Sequence, residues 1–242
     1  MLKADKIAKS YGETPVLHKV DLGIERGKIT ALIGPSGSGK TTLLKVLAFL
    51  EHPDSGSVSL DEVHYQFPLT KDKKIKAPWP KVSVVFQQLF LWPHLTLLQN
   101  ITLPLMAKGL DDKPANLRDL LDRFDMNDFV YRYPNQASLG QRQRAALVRA
   151  LLLKPDYLLL DEITSSLDVE QTAIILSHLK ELSGNGIGIL TITHLLQFAK
   201  DAADKIVFME RGEILEEGSP ELLSNPQHER LRKFLSVLKV VS

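Results

Sequence analysis

The chain has 242 residues, with 30 basic against 29 acidic side chains and a formal net charge of +1, a length that accommodates one large core or a core with a sub-domain. The near-neutral balance gives no electrostatic case for a nucleic-acid partner, and the lack of cysteine excludes disulfides, zinc ribbons and thiol catalysis and fits a reducing compartment. Met1 to Lys6 lacks an apolar signal core and no apolar run reaches about 18 residues, so a soluble protein is expected, with any membrane role exerted through a partner.

The opening third reads as β-structure. Val20-Asp21-Leu22-Gly23-Ile24 alternates, Arg26-Gly27 turns, and Lys28 to Ile33 reads as a buried strand. That strand runs into Gly34-Pro35-Ser36-Gly37-Ser38-Gly39-Lys40-Thr41, the spacing G-x-x-x-x-G-K-[ST] of a phosphate-cradling loop. Its glycines let the backbone wrap a polyphosphate with successive N–H groups turned inward. Lys40 can then reach the β- and γ-phosphates, and the Thr41 hydroxyl can ligate Mg²⁺. Thr42 to Ala48 continues with helical periodicity, which sets a helix N-terminus beside the phosphates. A nucleoside triphosphate site is therefore expected here. Ser57 to Leu60 and Val82 to Phe86 are further short strands, and the four lysines of Lys71 to Lys76 read as a solvated loop rather than a docking patch.

From Leu89 to Leu153 helical signals dominate, as in Leu117 to Phe124, and Pro93, Pro104, Pro114 and Pro134 are expected to break the segment into short pieces. Ser138-Leu139-Gly140-Gln141 opens a helix that runs to Leu153. Ser-x-x-Gln is a capping-box pattern, and a capped helix start is also a site for an anion. Tyr157 to Leu160 and Ile187 to Ile192 then read as buried parallel strands separated by the helical Val169 to Leu182. The first of them ends in Asp161-Glu162. Beside a phosphate loop, the first acid is expected to hold Mg²⁺ mostly through water, and Glu162 to polarise a water for in-line attack. Ile206 to Leu215 forms a hairpin, and Ser219-Pro220-Glu221 starts a closing helix with Ser219 as its N-cap.

In this order the motifs resemble the ATP-binding subunit of ABC transporters over essentially the full chain. Gly34 to Thr41 matches the Walker A loop, and Leu158 to Glu162 matches Walker B with its catalytic glutamate. Gln87 falls at the Q-loop glutamine, Ala137 to Gln141 at the signature, Ser165-Ser166-Leu167-Asp168 at the D-loop, and His194 at the switch histidine. Tyr11 falls where the family stacks an aromatic ring on adenine.

The resemblance implies ATP and Mg²⁺ as ligands. Gly34, Pro35, Ser36, Gly37, Ser38, Gly39, Lys40, Thr41 and Thr42 would hold the phosphates, with Thr41, Gln87 and Asp161 about the metal. Glu162, His194 and Gln87 would act in hydrolysis, while Ser138, Gly140, Gln141 and Asp168 would act across the interface of a head-to-tail dimer. It implies an α/β phosphate-loop fold, a mixed sheet with an antiparallel β sub-domain and an inserted helical sub-domain. Residues 1–88 and 154–218 would form the core and β sub-domain, 89–153 the helical sub-domain, and 219–242 a helical tail. The implied partners are membrane permease subunits, a second ATPase subunit (a homodimer is favoured) and, indirectly, an extracytoplasmic solute-binding protein. The chain would work peripherally at the cytoplasmic face of the cell membrane. Phe86 to Thr96 and Tyr133-Pro134 look most like importers of polar amino acids. The alternatives are an exporter or lipoprotein-releasing ATPase, and a nucleotide-dependent dimerisation switch with little hydrolysis.

Four residues depart from the family pattern. Ala137 replaces a leucine, Leu139 the first glycine of the signature, Ile163 a proline, and Leu195 the acid after the histidine. Leu139 is expected to matter most, because a branched side chain restricts the backbone and adds bulk where the nucleotide would lie. Phe90 and Trp92 are open between core residues and residues facing a permease.

Overall fold

The computed structural model describes residues 1–69, 75, 78–107, 109, 116–164 and 167–241. The lysines of the Lys71 to Lys76 stretch, Pro114, and Ser165 and Ser166 lie outside the described residues.

Among the described residues ten strands form two sheets. β1 (Leu2–Tyr11), β2 (Thr14–Ile24), β4 (Ser55–Leu60) and β5 (Val63–Phe67) make an antiparallel sheet in the order β2-β1-β4-β5. β3 (Ile29–Ile33), β6 (Val82–Val85), β7 (Tyr157–Asp161), β8 (Gly188–Ile192), β9 (Lys205–Glu210) and β10 (Glu213–Gly218) make a six-stranded sheet in the order β10-β9-β3-β8-β7-β6. Within it β9, β3, β8, β7 and β6 are parallel and only β10 runs antiparallel, so the sheet is mixed. Every residue of β3, β7 and β8 is buried, as expected for parallel strands covered on both faces.

The pleat divides that buried sequence between two cores. Leu158 and Leu160 face one, with Ala31, Ile33 and Ile189. It is completed by the helices α2 (Leu97–Ala107), α4 (Leu139–Leu151), α5 (Val169–Gly184) and α6 (Leu196–Ala202). Tyr157, Leu159, Leu32, Leu190 and Ile192 face the other, where α1 (Lys40–Leu47) and the antiparallel sheet close over them. α1 contributes Leu43, Leu44, Val46 and Leu47, each worth about 1.5–3 kcal/mol on burial. α3 (Asn116–Arg123) packs Leu120 into the first core, and α7 (Glu229–Val241) packs Leu231 and Leu235 there.

A polar cluster fastens the two sheets together. Asp61, in the β4–β5 turn, accepts from the Met1 amine at 2.7 Å, from Arg26 Nη2 at 2.8 Å and from the Tyr157 hydroxyl at 2.7 Å. Arg26 Nη1 donates to Asp156 at 2.8 Å. The guanidinium beside it holds the Asp61 carboxyl well below the usual carboxylate range. Burial, reinforced by Asp61, pushes the Tyr157 hydroxyl up to about 12.

Two expectations on local structure are corrected. Pro104 does not break the helix; α2 runs through it to Ala107. A proline forfeits one backbone bond, but the flanking Ile101 and Leu105 are buried at 0 % and 2 % exposure, and their burial outweighs that loss. Ser219-Pro220-Glu221 does not start the closing helix. Pro220–Leu223 is a 3-10 turn, Ser219 makes no side-chain cap bond, and α7 begins only at Glu229. Phe90 and Trp92, at 58 % and 54 % exposed, are surface residues and not core.

Candidate functional site

The phosphate loop connects β3 to α1 at the carboxyl end of the parallel strands, the end at which open α/β sheets gather their ligand sites. Gly34 has φ +149°, and a Cβ there would lie 2.0 Å from the Met209 carbonyl oxygen, so no other residue fits. Gly37 has φ +76° with open space above it. Lys40, only 5 % exposed, donates from Nζ to the carbonyls of Gly34 at 2.9 Å and Pro35 at 2.8 Å. Burial pushes its ammonium below the usual lysine value, against the opposing pull of the Glu162 and Asp161 carboxylates.

Thr41, one residue into α1, meets the last residue of β7. Its Oγ1 donates to Asp161 Oδ2 at 3.0 Å. Burial raises the Asp161 carboxyl, the Thr41 hydroxyl lowers it, and Glu162 raises it again. A hydroxyl and a carboxylate in contact are hard oxygen donors of the kind Mg²⁺ takes. No group of three or more His, Asp or Glu placed to hold a metal occurs among the described residues. The pair therefore fits Mg²⁺, which keeps waters and substrate phosphates as its other ligands, better than an all-protein cage.

Glu162 has φ +51°, a conformation that costs a non-glycine residue about 1–3 kcal/mol. Its N–H donates to the Ile192 carbonyl at 3.0 Å, and β7–β8 register places Asp161 opposite Ile192. The chain beyond both strand ends therefore converges, and Glu162 Oε1 lies 2.5 Å from His194 Nε2. Gln87 follows β6, whose Val85 pairs with Leu160 of β7, so it stands at the strand end next to Asp161. Tyr11, at the end of β1, directs its hydroxyl to Glu51 and to Thr42 of α1.

A second group forms around the starts of α4 and α5. The capping box is present: Gln141 N donates to Ser138 Oγ at 3.2 Å, and Ser138 N to Gln141 Oε1 at 3.0 Å. Asp168 caps α5, accepting from Gln171 N at 2.8 Å, and Gln171 Nε2 donates back to it at 3.0 Å. Gln171 lies so close over Gly140 that a Cβ there would be 2.3 Å from its Oε1. Ser138, Gly140, Arg144 and Gln171 line a small cleft of about 70 Å³. Leu139 is the first residue of α4 and has no left-handed φ. The backbone restriction expected of it does not arise, and only its bulk distinguishes it from glycine.

Three contributors escaped the reading of the sequence. Gln143, 5 % exposed, donates from Nε2 to the Ile163 carbonyl at 2.6 Å, one residue past Glu162. Arg149 donates to the carbonyls of Phe90 at 2.9 Å and Leu89 at 2.6 Å, just beyond Gln87. Gln171 is the third. Gln143 and Arg149 act on backbone carbonyls 20 and about 60 residues away, which no local motif signals, whereas Gln171 stands three residues after Asp168, at the spacing of a capping pair. Beside Phe86, a groove of about 330 Å³ is lined by Ala48, Leu50, Val84, Pro104 and Arg149. No helix is long and apolar enough to cross a membrane among the described residues.

Residues 17–165 match the model of a protein family described as ABC transporter. The chain is 37 % identical over 239 residues to the glutamine transport ATP-binding protein GlnQ of Escherichia coli (strain K12), covering 97 % of this chain and 98 % of that one. It is 38 % identical to the arginine transport ATP-binding protein ArtM of Bacillus subtilis (strain 168), with the same coverage of 97 % and 98 %. Its fold is similar to that of the dimeric post-hydrolysis ATP-binding cassette MJ0796 bound to ADP and Pi, with a TM-score of 0.78 at 32 % identity over 91 % of this chain and 99 % of that one. A phosphate loop with Asp161 and Glu162 at its side and near-complete alignment to such subunits lead to one assignment: the chain belongs to the ABC transporter family and is an ATP-hydrolysing subunit of it.

Proposed function

We propose that this chain is the motor subunit of an importer of polar amino acids. It would be bound peripherally to permease subunits at the cytoplasmic face of the membrane and paired with a second copy of itself. A solute-binding protein would deliver the amino acid from outside. The glutamine and arginine transport subunits it aligns with support the solute class. The groove beside Phe86, with the exposed Phe90 ring packed edge-on against Phe86, supports a permease contact. Residues 89–153 would then be a helical sub-domain between the core segments 1–88 and 154–218, with 219–242 as a tail.

The observation that carries hydrolysis is the convergence of two pairs, Thr41 with Asp161 and Glu162 with His194, at adjacent strand ends beside Lys40. In this reading Gly34 to Thr42 and Lys40 bind the phosphates, and Tyr11 stacks on adenine. Thr41 and Asp161, with Gln87, hold Mg²⁺, which would neutralise charge on the phosphate oxygens. Glu162 takes the proton of the attacking water, and His194, in contact with that carboxylate, fixes its orientation and steadies the γ-phosphate. The strained backbone of Glu162 serves this geometry, since strain of that kind persists where the surroundings over-determine it. Ser138, Gly140, Gln141 and Asp168 serve the site of the facing subunit.

Glu162→Gln tests the role of the carboxylate. It should lower ATP turnover by roughly 10²–10⁴ while the ATP dissociation constant stays within about twofold. Loss of binding together with turnover would overturn it. The turnover of the unmodified chain, followed against its own concentration, tests the self-pairing. A specific rate that rises with concentration supports two copies completing the sites, and a constant one counts against it.

A further inference from the structure

A carboxylate just past the end of α1 stands beside the aromatic ring at the end of β1. Glu51 lies four residues beyond the end of α1, its side chain 23 % exposed. It accepts hydrogen bonds from the Tyr11 hydroxyl and from Lys45 Nζ, the latter at 3.1 Å. Lys45 belongs to α1, the helix that begins with Lys40 and Thr41. The residues after Glu51 grip the same end of β1. Lys9 Nζ donates to the His52 carbonyl at 2.8 Å and faces Asp54 at 3.7 Å, and the Ser10 N–H donates to Asp54 Oδ2 at 2.6 Å. Asp54 N in turn donates to the Ala8 carbonyl at 2.8 Å.

Tyr11 is thus held by its tip while its ring remains in reach of a ligand. The residue is 47 % exposed, and the Lys9 ammonium lies 5.5 Å from the ring centroid. Burial first, and the Glu51 contact second, push the Tyr11 hydroxyl up, so it remains a donor. Although burial opposes it, the Glu51 carboxyl is brought down by the Tyr11 and Lys45 hydrogen bonds and remains an acceptor. A ring fixed at its hydroxyl has already lost the rotamer freedom that stacking on a planar base would otherwise cost.

We propose that Glu51 is a positioning residue for the base end of the nucleotide site. It fixes the Tyr11 ring and, through Lys45, ties that ring to the helix that bears Lys40 and Thr41. Recognition of the base and seating of the phosphates are thereby set in one frame, and Glu51 governs how much the base adds to affinity over the bare triphosphate. This rests on the reading of Tyr11 as the adenine platform.

The test measures dissociation constants of the full chain for ATP and for inorganic tripolyphosphate by calorimetry. Glu51→Ala should weaken ATP by roughly 3- to 10-fold, the worth of one hydrogen bond, and leave tripolyphosphate unchanged. Turnover should show a raised KM for ATP with kcat preserved. Glu51→Gln, which keeps an acceptor oxygen, should recover most of the loss. Tyr11→Phe, which also gives up the contact of the hydroxyl with Thr42, should weaken ATP at least as much, and adding Glu51→Ala to Tyr11→Phe should cost nothing more. Equal weakening of ATP and tripolyphosphate, or full additivity in the double variant, would overturn the proposal. Tyr11→Ala separates it from its premise. If Tyr11→Ala leaves ATP affinity intact, the adenine platform itself is refuted. If Tyr11→Ala weakens ATP but Glu51→Ala does not, the role of Glu51 alone fails.

Discussion

Gly140→Ala probes the fit between α4 and α5. A Cβ there would stand 2.3 Å from Gln171 Oε1 and 2.9 Å from its Cδ, so the Gln171 side chain must swing aside. It then loses the 3.0 Å bond from Nε2 to Asp168, worth about 0.5–1.5 kcal/mol. In the opposite direction, alanine for glycine in a helix gains up to about 1 kcal/mol, and Gly140 lies within α4 without a left-handed φ. The two effects nearly cancel, so the single variant should unfold within about 0.5 kcal/mol of the unmodified chain. With Gln171→Ala already present nothing remains to displace, and Gly140→Ala should then stabilise by about 0.5–1 kcal/mol. Urea titration of the four chains, with slopes compared, gives the coupling directly. Equal effects of Gly140→Ala in the two backgrounds, to within about 0.3 kcal/mol, would refute the reasoning.

Asp61→Asn should destabilise the chain by about 1–2 kcal/mol near neutral pH, a value discounted for the partial exposure of its ion pairs. Because Arg26 holds the folded Asp61 carboxyl below the usual range, its contribution is complete above the unfolded-chain value of about 4. It is lost as the pH falls through the lower folded value. Denaturation at several pH values should therefore show the gap closing below about pH 4, and a gap that widens on acidification would contradict the assignment. Arg149→Met should cost about 1–3 kcal/mol of unfolding free energy, since it leaves the Leu89 and Phe90 carbonyls without their charged donor. An unchanged urea midpoint would show those bonds to be dispensable.

The phosphate loop was legible because its chemistry is contiguous: strand, glycines, lysine and helix follow one another in a single stretch. The same holds for the apolar strand that ends in Asp161 and Glu162. Contacts set by register were not legible. Glu162 meets His194 because β7 and β8 pair Asp161 with Ile192, a fact of sheet order rather than of either motif. Gln143 on Ile163, Arg149 on Leu89 and Glu51 beneath Tyr11 span 20, 60 and 40 residues, where no local periodicity reaches. β1 carries Lys3, Asp5, Lys6 and Lys9, and Lys6 has a left-handed φ of 49°. Its irregular register blurs the alternation by which a strand is recognised. At Pro104 and at Ser219 tertiary context overrides local preference, through burial of Ile101 and Leu105 in the first case and through a 3-10 turn that ends at Leu223 in the second.

The two grips of α4 have a mechanical consequence. The helix spans 13 residues, about 20 Å of rigid rod. Gln143 fastens it to the Ile163 carbonyl, and Arg149 fastens it to the carbonyls of Leu89 and Phe90. The two anchors lie about 9 Å apart along the axis, so a tilt of about 5° pivoting on Gln143 displaces Arg149 by about 0.8 Å. In such a tilt α4 acts as a lever whose fulcrum is the contact on Ile163 and whose arm is set by the six-residue spacing of the two anchors. A shift of the loop after β6 by that amount and a rotation of the start of α4 are then one motion.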